Sequence, residues 1–189
     1  MIWMQTHGSN VATWPPKPEH FTLGMVAHSL AHKCRYNGHT SRYYSVAEHC
    51  VLLCRWFQDA GHSSVIQRQA LMHELDEVHG PDFTRPWLQM LKEAEPAAYA
   101  VIMRVRAAWA EAGMEYFDIG PIQQEVREAD SRILLDERNA LMRPWPQDWG
   151  ISGEPLGVQI FGWTPLYAKV QFLREAARLG INETDRDPT

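Results

Sequence analysis

The chain is predicted to fold as an all-α protein with one domain, and three observations point there. Apolar residues recur at helical spacing over most of the 189 residues. Cap residues and Gly or Pro breaks bracket those stretches, and strand-like alternation is scarce. Length and a 45% hydrophobic content suit one domain, residues 1–189, with a real core.

Residues 1–22 contain Gly8, Pro15, Pro16 and Pro18 and are expected to form an irregular arm. Met25, Val26, Leu30 and Cys34 make an apolar stripe from about Leu23 that Asn37-Gly38 stops. Ser45 caps a second helix over Val46 to about Asp59, with Glu48 placed for a capping box. A third helix is expected from about Ser64 to His79, where Gly80-Pro81 ends it. Thr84 caps a short helix interrupted by Pro86, and long helices follow over about Ala97–Gly113 and Pro121–Met142. Residues 143–162 are rich in Pro and Gly and read as a long surface loop or irregular excursion. Thr164-Pro165 opens a last helix to about Gly180, and the polar tail, residues 182–189, is expected to fray.

The formal net charge of -5 argues against broad nucleic-acid binding, which needs a basic face. It leaves room for a small phosphorylated ligand held by a few arginines. No apolar run approaches the roughly 20 residues needed to span a bilayer, and no signal peptide is evident at Met1-Ile-Trp-Met-Gln5. Three cysteines, Cys34, Cys50 and Cys54, suggest reduced thiols, so the expected location is cytoplasmic. Cys50 and Cys54 are read as buried small hydrophobes.

The chemistry concentrates in Ala70-Leu-Met-His-Glu-Leu-Asp-Glu-Val-His-Gly80, where one histidine and three carboxylates fall within six residues. Histidine with carboxylate is a donor set for a divalent metal that activates water. Helical bundles build such sites from several helices facing a common interior. Here the candidate donors are His49, His73, Glu74 and Asp130, on three predicted helices. Their mixed nitrogen and oxygen character suits Mn, Co, Zn, Ni or Mg rather than a soft thiolate metal. Glu77, one helical turn after His73, could orient or deprotonate a water; a solvated acid is the bland alternative. Asp76, three residues after His73, is an alternative donor to Glu74. A zincin signature would need histidine where Glu77 stands, so a metalloprotease reading is poor.

These segments resemble the HD-domain phosphohydrolases, closest to the phage and prophage branch that is similar to 5'-deoxynucleotidases and deoxynucleoside triphosphate triphosphohydrolases. Cys34-Arg-Tyr-Asn-Gly-His39 resembles the family's Cys-Arg-Phe-Asn-Gly-His segment. Tyr44-Ser-Val-Ala-Glu-His49 resembles the segment whose histidine is the first metal ligand. His73 falls on the motif histidine, Glu77 on the catalytic glutamate, and Asp130, in Glu-Ala-Asp, on the distal aspartate ligand. Asp82 matches an acidic residue placed just before a proline, here Pro86. The family's defining aspartate is Glu74 here, and Pro81 stands where glycine is usual.

The resemblance implies an HD-type helical bundle and a metal-dependent phosphohydrolase of deoxynucleotides, acting as a monophosphate 5'-nucleotidase or a triphosphohydrolase, conceivably of dATP. It implies metal ligands His49, His73, Glu74 and Asp130, with Glu77 and Asp82 catalytic. Arg35 and Tyr36 would face substrate, Arg35 as phosphate clamp and Tyr36 bordering base or sugar; His39 could donate to phosphate or fix the loop, and Arg42 is a candidate second phosphate contact. Lys33 and Arg42 read equally as ordinary surface cations. A homo-oligomer is expected, and a phage-encoded relative would act in the host cytoplasm. The competing expectation is a catalytically weakened protein, marked by Glu74, that binds a nucleotide or a protein partner without turnover. A two-iron oxygenase would need extra histidines, and only His79 is near.

Overall fold

In the computed structural model, residues 2–147 and 149–182 are described. The tail expected to fray therefore lies, from residue 183 on, outside the described residues. The architecture is all-α. Seven helices are present among the described residues: α1 (Leu23–His32), α2 (Val46–Asp59), α3 (Ser64–Met72), α4 (Arg85–Ala94), α5 (Pro96–Tyr116), α6 (Gln124–Leu141) and α7 (Pro165–Arg178). No helix is long and apolar enough to cross a membrane among the described residues.

The second helix is the organising element. Val46 to Cys54 are buried at every position, and Phe57 one turn later, so α2 has no solvated face along its first half. It packs against α1, α3, α6 and α7. Leu53, Phe57, Leu71, Ile133 and Phe172 are each at most 1% exposed in this shared core, and each such side chain contributes about 1.5–3 kcal/mol. Serine and threonine caps start four helices: the side chains of Thr22, Ser45, Ser63 and Thr164 accept from the backbone N–H groups of Met25, Glu48, Ile66 and Tyr167.

The structure departs from the sequence reading at three places. The arm is not wholly irregular: β1 (Trp3–Gln5) pairs antiparallel with β2 (Asn10–Ala12), with Met4 opposite Val11. Two three-residue strands are too short for a visible alternation. The third helix stops at Met72 rather than His79; Glu74 leaves helical geometry, and Leu75–Glu77 form a 3-10 turn. Three tertiary contacts hold this break. Arg106 on α5 binds Asp76 at 2.5 Å. Lys33 Nζ donates to the carbonyls of Glu77 and Gly80. Leu75 is buried close to Gly113, where a Cβ would lie 3.1 Å from that of Leu75. Apolar residues at 71, 75 and 78 fit either conformation, so periodicity could not separate them.

The third departure concerns Glu48. Ser45 caps α2, but the Glu48 carboxylate does not reach back to complete a capping box. It accepts the backbone N–H groups of Phe161, Gly162 and Trp163 at 2.9, 2.8 and 2.6 Å. The loop between α6 and α7 is thereby fixed onto α2. Asp136 on α6 does the same further back, accepting from Leu156 and Gly157 at 2.8 and 2.9 Å. Gly162 is required where it stands: its φ is +76°, and a Cβ would meet the Tyr43 carbonyl at 2.9 Å.

Glu48 is fully buried, so removing it orphans three donors at roughly 1–3 kcal/mol each. Glu48→Ala is expected to lose at least about 3 kcal/mol of stability, against about 1 kcal/mol for Ser45→Ala. Urea unfolding midpoints at constant slope measure both; equal losses would refute the anchoring role.

Candidate metal centre and cavity

The donor atoms of His49, Glu74, His73 and Asp130 all lie within 4.8 Å of one another. His49 projects from the first turn of α2, His73 ends α3, Glu74 follows it, and Asp130 faces them from α6. The helix break after Met72 sets this placement, because it lets two consecutive residues turn toward one point. His49 Nε2 stands 3.1 Å from His73 Nε2 and 3.1 Å from Asp130 Oδ1. His73 Nε2 lies 3.6 Å from both Glu74 Oε1 and Asp130 Oδ1. Metal bonds of roughly 2.0–2.2 Å put ligand atoms about 3–4.4 Å apart, so this group could close on one divalent cation with small adjustments.

The outer nitrogens strengthen that fit. His49 Nδ1 faces Glu137 Oε1 at 2.6 Å, and His73 Nδ1 faces the Ala70 carbonyl at 2.8 Å. Both partners only accept, so each Nδ1 must carry the proton, which leaves Nε2 of a neutral ring as a lone pair. Two lone pairs then face each other beside two carboxylates. Only a proton on one Nε2, or a cation among them, makes that favourable. Burial alone would raise the Asp130 carboxyl, yet its contacts with His49 and His73 hold it well below the usual carboxylate range. A mixed set of two imidazoles and two carboxylates fits a divalent metal without identifying it.

Glu137, two turns after Asp130 on α6, is the centre of a buried network. Its Oε1 accepts from Tyr44 Oη at 2.9 Å as well as from His49. Its Oε2 accepts from Tyr36 Oη and lies 3.4 Å from Arg35 Nε. The residue is fully buried. Burial pushes its carboxyl up, but the Arg35 charge and the bonds from His49 and Tyr36 pull it down to about 2. Arg35 also reaches Glu74 Oε1 at 3.3 Å, so one guanidinium ties the outer carboxylate to a metal donor.

A cavity of about 610 Å³ opens beside Glu74 and Asp130. Arg35, Tyr36, His39, Glu77 and Asp82 all line it. Tyr36 takes a left-handed backbone, φ 57°, as does Asn37 at 51°; strain of this kind accumulates where a site holds a side chain in place. Glu77 is 3% exposed and its Oε2 has no hydrogen-bond partner. Burial first, then the Glu74 and Asp82 carboxylates, raise its carboxyl well above the ordinary range, against the lowering charge of Arg35. Burial likewise raises Asp82.

Arg42 is not brought to the cavity; it donates to the Ile160 carbonyl at 2.9 Å and bears on the loop after α6. Lys33 is occupied by the carbonyls described above. His79 gives Nε2 to the His20 carbonyl and packs against Phe21 and Trp109, so it supplies no ligand. Asp76, the alternative donor, is held by Arg106. Two contributors escaped the sequence reading. Glu137 carried a usable signal, since position 137 shares a face with Asp130. Arg106, which lines the cavity and lies 3.8 Å from Glu77 Oε1, carried none. Trp149, in the Pro- and Gly-rich stretch, also lines the cavity and tilts against Tyr36 with ring centroids 5.9 Å apart.

An Escherichia coli (strain K12) protein, YfdR, described as uncharacterized, is similar to the chain. The two are 26% identical over 145 residues, covering 76% of this chain and 74% of the relative. No protein-family model matches the chain.

Because Glu137 orients His49, Glu137→Gln is expected to weaken Mn or Co binding about 10- to 100-fold in calorimetric titration. Its folded carboxyl lies below the model-peptide value of 4.5, so its charge stabilises the fold above pH about 4.5 and that contribution fades toward pH 2. The stability gap between wild type and Glu137→Gln should therefore narrow as pH falls through this window. A constant gap would show that the charge is not what the network uses.

Proposed function

We propose that this protein is a metal-dependent phosphohydrolase of deoxynucleotides, built on an HD-type helical bundle. The observation that carries the reading is the convergence of His49, His73, Glu74 and Asp130 at the floor of a cavity lined by Glu77, Asp82, Arg35 and Tyr36. The same residues carry the sequence resemblance. A divalent cation bound there would polarise a phosphoryl oxygen and lower the pKa of a water.

The chain's own groups divide the remaining work. Glu77, buried with an unpartnered carboxylate oxygen, would take the proton from the attacking water once a bound cation brings its raised carboxyl back to the ionised form, and Asp82 helps to orient that water. Arg35 and Arg106, which both line the cavity, offset phosphate charge. Tyr36 and Trp149 form an aromatic edge for a base or sugar, and His39, exposed at the rim, offers a further contact to phosphate. Net acidity and a cavity of about 610 Å³ favour a small nucleotide over a nucleic acid as the ligand.

One observation favours the second reading. Glu74, longer by a methylene than the family's aspartate, is paired with Arg35 at 3.3 Å, and that guanidinium competes with a metal for its carboxylate. A protein that binds nucleotide without turnover would follow if the competition wins.

Deoxynucleoside mono-, di- and triphosphates tested with Mg, Mn, Co, Ni and Zn decide between them. Nucleoside release is expected with wild type and should fall at least about 10³-fold in His73→Ala, the scale of losing a water-activating metal. Tight nucleotide binding without release under any metal would replace the hydrolase reading with the non-catalytic one. Glu74→Asp would then be expected to restore turnover.

A further inference from the structure

A second groove, of about 590 Å³, adjoins the cavity; Arg85 and Ile151 line both. Its other cations are Arg127 and Arg132. None of the three arginines is paired with a carboxylate among the described residues. Arg85 donates to Ser131 Oγ at 3.1 Å, Arg127 to the Ile122 carbonyl at 3.1 Å, and Arg132 to the Glu154 carbonyl at 2.7 Å. The one carboxylate in the lining, Glu128, accepts from Gln124 Nε2 at 3.0 Å. In a chain of net charge -5, three guanidinium groups without an ion-pair partner in one depression make a local positive patch that favours an anion.

Other features of the groove favour an anion. Gln124 and Arg127 belong to the first turn of α6, an 18-residue helix whose N-cap, Gln123, makes no side-chain cap. Its positive dipole end therefore faces the groove. Ser131 and Ser152 add hydroxyl groups, and Arg132 is held over Trp56 at 5.9 Å, which fixes its planar fork.

We propose that this groove is a polyphosphate subsite. It would take the β- and γ-phosphates of a deoxynucleoside triphosphate whose α-phosphate end lies in the cavity by Asp130. Arg85, shared by both spaces, would contact the bridge between them. The inference rests on the nucleotide reading given above and selects the triphosphate within it. Chain length is then sensed about the α6 N-terminus, away from the residues that do the chemistry.

Calorimetric titration with inorganic tripolyphosphate in EDTA probes the groove without metal or turnover. Wild type is expected to bind it, and Arg127→Glu, an exposed position, to bind at least about tenfold more weakly, the scale of a charge-assisted contact. In steady-state kinetics with Mn, Arg127→Ala should raise KM for the triphosphate about tenfold and leave monophosphate kinetics unchanged. Unaltered tripolyphosphate binding in Arg127→Glu, or parallel changes for both substrates in Arg127→Ala, would overturn the subsite. A wild type that hydrolyses no nucleotide would instead overturn the hydrolase reading, while the titration would still decide the groove.

Discussion

A carboxylate sealed from water must be surrounded by donors, and Glu137 imposes that requirement on the whole site. Two tyrosines and one arginine from the loop before α2, and one histidine from α2 itself, meet its two oxygens on α6. Leaving a buried charge unmatched costs several kcal/mol, so these segments cannot drift independently. The position of His49, the direction of its Nε2 and the seat of Arg35 against Glu74 all follow. Much of the cavity wall is a by-product of neutralising one buried acid.

The same device recurs where no chemistry is involved. Glu48 and Asp136 collect backbone N–H groups from a segment with no regular structure of its own. A long loop without internal ladders has amides to satisfy, and buried carboxylates on neighbouring helices satisfy them. Arg42 and Arg132 complement this by taking loop carbonyls. Acid and base side chains thus replace strand pairing as the means of fixing that crossover.

Helix count and most boundaries were legible because cap residues and apolar stripes are local signals. Ser45, Thr164 and Gly180 marked their ends within a few residues. The clustering of the four candidate donors was legible too, since histidine and acid at the right spacing are rare in an apolar stretch. What escaped reading was long-range. The break after Met72 depends on Arg106 and Lys33, which lie more than thirty residues away along the chain. Glu48 looked like half of a capping box because the local pattern was complete, while its true partners lie 113 to 115 residues downstream. Arg42 sat beside motif residues in sequence, yet the chain turns it outward toward Ile160. Proximity in sequence predicted the caps at Ser45 and Thr164 but misplaced Glu48 and Arg42.

The crossover between α6 and α7 is pinned by buried carboxylates at residues 156–157 and 161–163, whereas Trp149 and Ile151, which border the cavity, lie in a forward part held by arginines, with Arg138 donating to the carbonyls of Trp145 and Gln147. Two levels of constraint are therefore separated within a single connection. Substitutions in the forward part can alter the rim of the cavity without disturbing the amide cradle that secures the rear. Such an arrangement is modular: the residues that rim the cavity can change along that short span while the helical framework keeps its own supports.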